Sequence, residues 1–234
     1  MKKILFLISF LFLGVFLYSQ SFDLISSTLT INDISSILKS TSAKDRFQAI
    51  KALSDIKEQS SDNILIEQYK KENDSYLKMT IIEILSHRVV FSTSALNVVY
   101  EAMEIQNEQI SKAAWTNINN AILLDKNQRK VLVDKLKKEK RKGIKIDAVR
   151  KISMDTSSGT VKELANMVIN EAEDEDVRAV SLKRLKEMNT KDSNKELDSI
   201  KKLNIKNKKV ADELKKNGVQ DKTKEVKQNV KKKS

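Results

Sequence analysis

The sequence predicts an all-α protein, an α-solenoid of about six imperfect helix pairs. Three features point there. Among 234 residues there is no proline, and the glycines number only four, Gly14, Gly143, Gly159 and Gly218. Sandwiches and barrels depend on turns with special backbone angles, so this poverty argues against them. The residues that dominate instead are Leu, Ile, Lys, Glu, Ala, Asn and Ser, several of them strong helix formers. The third feature is a repeating apolar pattern.

The stretch EDEDVRAVSLKRL carries Val177, Arg178, Ser181, Leu182 and Leu185. Sliding it along the chain finds DRFQAIKAL with Arg46, Ala49, Ile50 and Leu53, and YLKMTIIEIL with Leu77, Lys78, Ile81, Ile82 and Leu85. QISKAAWTNI gives Ile110, Ala114, Trp115 and Ile118, and GIKIDAVRKI gives Ile144, Lys145, Ala148, Val149 and Ile152. NKKVADEL is a weaker copy with Asn207, Val210, Ala211 and Leu214. The last apolar positions are Leu53, Leu85, Ile118, Ile152, Leu185 and Leu214, in steps of 32, 33, 34, 33 and 29 residues. Within each copy the i, i+4, i+5, i+8 spacing is one face of an α-helix.

A first helix is expected before each of these second helices, at roughly Ile34–Leu38, Ile64–Tyr69, Ala95–Met103, Lys130–Leu136, Val161–Ile169 and Leu197–Leu203. Ser61–Asn63, Met154–Thr160 and Asn189–Asn194 read as loops, with Ser, Thr, Asp and Asn as N-caps for the helices that follow. Helix, turn, helix and loop at this period is the signature of an α-solenoid.

On these residues the chain resembles HEAT-like repeats of the armadillo superfamily. The resemblance lies in the D-x-x-V-R-x-x-A-x-x-x-L character of the second helix, strongest in EDEDVRAVSLKRL and AKDRFQAIKAL, and it covers about Asp33 to Asn217. It implies a right-handed solenoid of about six HEAT-like pairs over residues 21–217. The proline common in the family's first helix is missing throughout. The arginine column reads Arg46, Lys78, Ser111, Lys145, Arg178, Asn207. Tetratricopeptide repeats are the alternative of similar period, but their Trp, Gly and Tyr positions are not visible.

Residues 1–20 have the form of a secretory signal peptide. MKK is a positive n-region, and Ile4–Tyr18 is largely apolar before the polar Ser19-Gln20-Ser21. As a helix the apolar run would span roughly 22 Å, short of the ~30 Å hydrocarbon core. Cleavage is expected after Ser19, with Leu17 at the −3 position, and an uncleaved anchor is the alternative. The chain has no cysteine, which removes disulfides, zinc-thiolate sites and thiol catalysis. An exported protein, periplasmic or envelope-associated, is the expectation.

The acidic run Glu171, Glu173, Asp174, Glu175 and Asp176 stands at the start of a second helix, where carboxylates oppose the positive end of the dipole and cap free amides. A calcium loop would need further ligands and a glycine turn, and neither follows. Arg46 and Arg178 are expected to form ion pairs along the second helices. Leu53, Leu85, Ile152, Leu182 and Leu185 are repeat core positions, and Trp115 shares the column of Ile50, Ile82, Val149 and Leu182, which makes it core as well, with a surface binding anchor as the alternative. His87 is the only histidine, so no triad or histidine metal cluster can be assembled. No Gly-rich phosphate loop, H-E-x-x-H or G-x-S-x-G occurs. No catalytic residue, metal site or cofactor is expected, and the chain reads as not an enzyme.

The formal net charge is +12, and the last twenty residues hold eight lysines against Asp221 and Glu225. Residues 218–234 therefore read as a disordered basic tail. A second basic cluster, LKKEKRKGIK, lies inside the fourth repeat. Lys137, Lys138, Lys140, Arg141, Lys142, Lys231, Lys232 and Lys233 are the candidate partner-binding residues, either solvated or drawn to an anionic envelope surface or acidic protein. The resemblance implies a scaffold that binds a protein or peptide on a concave surface lined by second helices. DNA-binding repair enzymes and hydroxylases also belong among HEAT-like proteins. The leader and the tail-weighted charge argue against nucleic acid, and the lone histidine argues against the enzyme.

Overall fold

The computed structural model describes residues 29–118, 123–152 and 154–216, and among these twelve helices form and no strand. In order they are α1 (Ile31–Ile37), α2 (Ala43–Asp55), α3 (Gln59–Lys71), α4 (Ser75–Ser86), α5 (Thr93–Glu104) and α6 (Glu108–Asn117). There follow α7 (Lys126–Lys138), α8 (Lys142–Ile152), α9 (Ser158–Ile169), α10 (Glu175–Met188), α11 (Lys191–Lys201) and α12 (Lys208–Lys215). Each first helix expected from the sequence coincides with an odd-numbered element and each second helix with an even-numbered one. The leader and the tail lie outside the described residues.

Helix starts are set by short polar side chains that accept from otherwise unpaired first-turn amides. Ser42 caps α2 through Asp45 N, Ser92 caps α5 through Ala95 N, and Asn107 caps α6 through Gln109 N and Ile110 N. Capping boxes join Thr30 with Asp33, Asp125 with Gln128, and Thr190 with Ser193.

All three expected loops give way to helix, Ser61–Asn63 entirely and the other two in part, since α9 begins at Ser158 and α11 at Lys191. Ser61 and Asp62 are not loop residues but lie buried in the first turns of α3. The Ser61 hydroxyl donates to Leu53 O at 2.9 Å, which makes a polar residue compatible with a buried helix start. Asn189 takes the left-handed conformation (φ 47°), which asparagine tolerates better than most residues. The chain turns there, and α11 begins already at Lys191 behind the Thr190 cap.

The chain divides into two compact units, one up to Ile84 and one from Leu85. In the first, α2 packs on α1 and α3, and the rings of Phe47 and Tyr76 meet at 5.8 Å. In the second, α5 packs on α6, α7 on α8 and α9 on α10. First helices then stack on first helices in the order α5, α7, α9, α11, and second helices in the order α6, α8, α10, α12. That two-layer stacking of like on like is an α-solenoid.

The repeating apolar column is buried in each of the two units. Leu53, Leu85, Ile118, Ile152 and Leu185 are buried, as are Ile50, Ile82, Trp115, Val149 and Leu182. Each such side chain contributes about 1.5–3 kcal/mol by leaving water. The sixth copy differs: Leu214 is only half-buried, and Val210 is the covered residue of α12.

Candidate functional site

The turns between first and second helices carry the buried acids Glu72 and Glu139 and the partly buried Glu173. In the first unit Arg46 makes a bidentate pair with Glu72, Nε to Oε2 and Nη2 to Oε1, both at 2.9 Å. Its Nη1 also donates to Ser40 O and Thr41 O at 3.0 and 3.1 Å. One cation thus satisfies two carbonyls of the turn between its own repeat's helices and grips the acid of the next repeat. Burial opposes ionisation of Glu72, but hydrogen bonds from Arg46, the Asp74 amide, Gln68 and the Asn73 amide outweigh it, and its pKa falls to about 2.

In the second unit Lys145 makes the acid contact alone, reaching Glu173 of the next turn at 2.5 Å while itself buried. Arg178 donates from Nε to Val168 O at 2.9 Å, on the first helix of its own pair. Lys78 departs from the ladder and stands over the Tyr69 ring, 5.3 Å from its centre. The third repeat has serine in the column, and the missing cation arrives from elsewhere. Arg141, in the α7–α8 turn, donates to Ile105 O at 2.9 Å, Met103 O at 3.0 Å and the Ser111 hydroxyl at 2.7 Å. It is held by Glu139 at 2.7 and 2.9 Å. Burial of Glu139 opposes ionisation, yet the Arg141 hydrogen bonds keep its pKa below the ordinary carboxylate range. Arg141, expected as a free binding group, is a structural clamp between repeats.

The other candidate cations divide. Lys142 pairs with Asp174 at 3.2 Å and with Asp176. Asp176 also pairs with Lys209, so the acidic run ties the fourth, fifth and sixth repeats together. Asp174 caps α10 through the Asp176 amide at 2.8 Å. Lys137 pairs with Glu163 at 3.2 Å and Asp134 at 3.5 Å. Lys138 and Lys140 are exposed and make no ion pair among the described residues. Lys231, Lys232 and Lys233 lie outside the described residues. His87 is exposed just beyond α4.

A cavity of about 500 Å³ opens between the α5–α6 and α7–α8 turns. Its wall includes Met103, Ile105 and Trp115, with Lys138 and Lys140 among the polar residues around them. Two contacts fix its frame. The Tyr100 hydroxyl donates to Gln128 O at 2.7 Å, tying α5 to the start of α7, and burial pushes that phenol's pKa up. Lys135 pairs with Glu104 at 2.9 Å and stands 5.6 Å from the centre of the Tyr100 ring. Trp115 is only 1% exposed, and its indole N–H has no hydrogen-bond acceptor among the described residues. Such an orphan donor costs about 1–3 kcal/mol.

No group of three or more metal-ligating side chains occurs among the described residues, and none of the described helices is long and apolar enough to cross a membrane.

Among solved structures, the chain is similar to the designed armadillo repeat protein YIII(Dq)4CqI, with 13% identity over 79% of this chain and 97% of that one and a TM-score of 0.39. It is also similar to human deoxyhypusine hydroxylase in complex with glycerol, with 10% identity over 86% of this chain and 96% of that one and a TM-score of 0.34. No family model matches the chain, and no curated protein does.

Proposed function

We propose that this chain is an exported, non-catalytic scaffold that binds a protein or peptide partner along its second-helix face. The observation that carries the reading is the like-on-like stacking of α6, α8, α10 and α12. Stacked second helices offer a preformed surface several repeats long, so many modest contacts can add without an ordering cost on the scaffold's side. Exposed polar residues such as Gln109 and Lys183 lie on this row. Export is supported by the pattern of residues 1–21 alone.

Nucleic-acid binding would need a track of uncommitted cations. Lys137, Arg141 and Lys142 are instead neutralised by acids within the repeats. Attachment to an anionic envelope surface through the lysine-rich segment Lys215–Ser234 is the second reading. The concentration of net charge there favours it.

Two measurements test the proposal. The intact mass of the native protein in the periplasmic fraction should lack about nineteen or twenty N-terminal residues, as a removed secretory leader requires. Photo-crosslinkers at Gln109 and Lys183 on second helices should capture the same envelope protein, while crosslinkers at Asn97 and Lys162 on first helices should not. Full-length protein in the cytosol, or equal capture from both faces, would sink the reading.

A further inference from the structure

Three turns of the second unit hold a bulky apolar side chain out in solvent. Phe91, before α5, is 88% exposed, Leu123, before α7, is 62% exposed, and Met154, before α9, is 54% exposed. They are 32 and 31 residues apart, the period of the repeat, so the three occupy one position in successive inter-repeat turns. Because α5, α7 and α9 stack in that order, the turns that enter them lie along one edge of the unit. Arg129 meets Asp155 at 3.9 Å and joins the second of these turns to the third. Single exposed apolar residues are ordinary on a protein surface, but a row at the repeat period is not. Nor do the tips project from loose turns. Val89 and Leu124 are buried beside Phe91 and Leu123, and Phe91 N donates to Arg88 O at 2.9 Å. Next to Met154, the buried Asp155 accepts from the Ser157 amide at 3.0 Å, the Ser157 hydroxyl at 2.8 Å and the Thr160 hydroxyl at 2.6 Å.

We infer that this edge docks on an anionic lipid surface, with Phe91, Leu123 and Met154 entering the headgroup boundary. Two observations choose the occupant. The first is charge. Residues 86–92, 123–130 and 150–158 carry Arg88, Lys126, Arg129, Lys130, Arg150 and Lys151 against Asp125 and Asp155, and Asp155 is buried. Lysine and arginine beside a bilayer gain from its negative surface potential. Their long stems keep the charge at headgroup level while apolar neighbours go deeper. The second is shape. Stacked helices lie about 8–10 Å apart, so the tips stand as separate projections and not as one groove. A protein partner would need a matching pocket for each, whereas a bilayer admits each side chain without matched shape. The row ends at the next turn, where Asn189 and Thr190 are polar. The inference goes beyond the scaffold reading, because it uses the turn edge and leaves the second-helix face open.

The chain has no cysteine, so a single introduced one carries an environment-sensitive fluorophore to a chosen position of the whole protein. Leu123→Cys and Met154→Cys report the row, and Gln109→Cys, at the start of α6, reports the other end of the helices. The probe is a vesicle of equimolar phosphatidylglycerol and phosphatidylcholine. The labels at 123 and 154 should shift to the blue and be quenched by lipids spin-labelled in the acyl chain, while the label at 109 stays in water. Vesicles of phosphatidylcholine alone should bind at least about tenfold more weakly, because the cations lose the surface potential. The triple variant Phe91→Ser, Leu123→Ser, Met154→Ser replaces only exposed side chains, so its helical melt should be unchanged. Its affinity in vesicle sedimentation should fall at least about tenfold, a factor that even partial burial of three such side chains exceeds. Leader and tail are common to both chains, so the ratio isolates the row.

Labels at 123 and 154 that stay in water while the protein sediments with vesicles would assign the attachment to the tail or the leader and overturn the docking edge. An equal response at 109, or an unchanged affinity in the triple variant, would overturn it as well. Equal binding to phosphatidylcholine alone would overturn the anionic class. A blue shift without vesicles that grows with protein concentration would make the occupant a second copy of the chain. Crosslinking from Gln109 and Lys183 tests the scaffold reading on a different surface, so either reading can fail while the other stands.

Discussion

The guanidinium of Arg141 donates to the Ser111 hydroxyl at 2.7 Å, so a cation from the fourth repeat occupies the place that Arg46 and Lys145 fill from within their own second helices. In the third repeat the place lies at the end of a first helix, where the last carbonyls have no intrahelical partner. Met103 and Ile105 supply those carbonyls in the third repeat. The acid of the adjoining turn, Glu72, Glu139 or Glu173, then fixes the cation. Turn chemistry and repeat stacking are therefore one interaction, and a departure in the sequence column is met by supply from the neighbouring repeat.

Replacing Arg141 with alanine should leave Glu139 buried without its cation and take a donor from the Ile105 carbonyl, while Met103 O keeps the Ser111 hydroxyl at 2.5 Å. Breaking a buried pair from one side costs about 3–5 kcal/mol; the guanidinium is partly exposed, so the lower end applies. Urea unfolding followed by Trp115 fluorescence measures it in the second unit. Adding Ser111→Arg to the Arg141→Ala chain should restore part of the loss by returning a cation to the column. A loss below about 0.5 kcal/mol, the scale of an exposed pair, would contradict the clamp.

Glu72 makes the first unit acid-sensitive. Its pKa falls from an ordinary 4.5 to about 2 in the folded chain. A depressed folded value stabilises the protein fully above the unfolded pKa and loses that contribution as pH falls from about 4.5 towards 2. The shift corresponds to about 3 kcal/mol. Amide exchange in Ala43–Asp55 and Gln59–Lys71 should accelerate over that window. In Glu72→Gln these helices should exchange faster at pH 7 and show a flatter response to acid.

The helix pairs were legible because a period of 32 to 34 residues needs only the apolar column, and Leu53, Leu85, Ile118, Ile152 and Leu185 carry it regardless of what lies between. Short polar residues misled where they were buried. Ser61 reads as a loop residue by composition, yet its hydroxyl is satisfied by Leu53 O. The basic cluster misled for a different reason. Lys137 and Lys142 meet acids one repeat further on, a pairing that no local window contains. A signal for Arg141 was present, since an arginine two residues after the turn glutamate coincides with a serine in the preceding column. The cavity had none, because its wall joins two turns from separate repeats with a tryptophan assigned to the core.

Trp115 should tolerate phenylalanine unusually well in the free protein. The smaller ring loses packing, but the substitution also removes a buried donor that has no acceptor among the described residues. The two effects oppose, and the net cost should stay below about 2 kcal/mol, against about 3–5 kcal/mol for Trp115→Ala. Urea unfolding followed by circular dichroism compares the two without needing tryptophan emission. Equal losses in both variants would mean that the indole N–H is satisfied in solution.

The last helix is held by two contacts of different physical kind, and salt should separate them. Asp176 receives both Lys142 and Lys209, linking α8, α10 and α12, and its side chain is partly exposed. Lys186 instead donates to the carbonyls of Glu213, Leu214 and Lys216 at the end of α12, and burial lowers its pKa. Exposed ion pairs contribute up to about 1 kcal/mol and are screened as the Debye length shrinks to about 3 Å at 1 M salt. Asp176→Asn should therefore speed amide exchange across Lys208–Lys215 at low salt and converge with the parent chain at 1 M. The lysine caps carbonyls at the end of α12 by hydrogen bonds rather than by pairing with an exposed acid, so Lys186→Met should speed exchange there at both salt concentrations, by about 1 kcal/mol. A salt-independent Asp176→Asn effect would show that the carboxylate acts through the α10 terminus rather than through its two lysines.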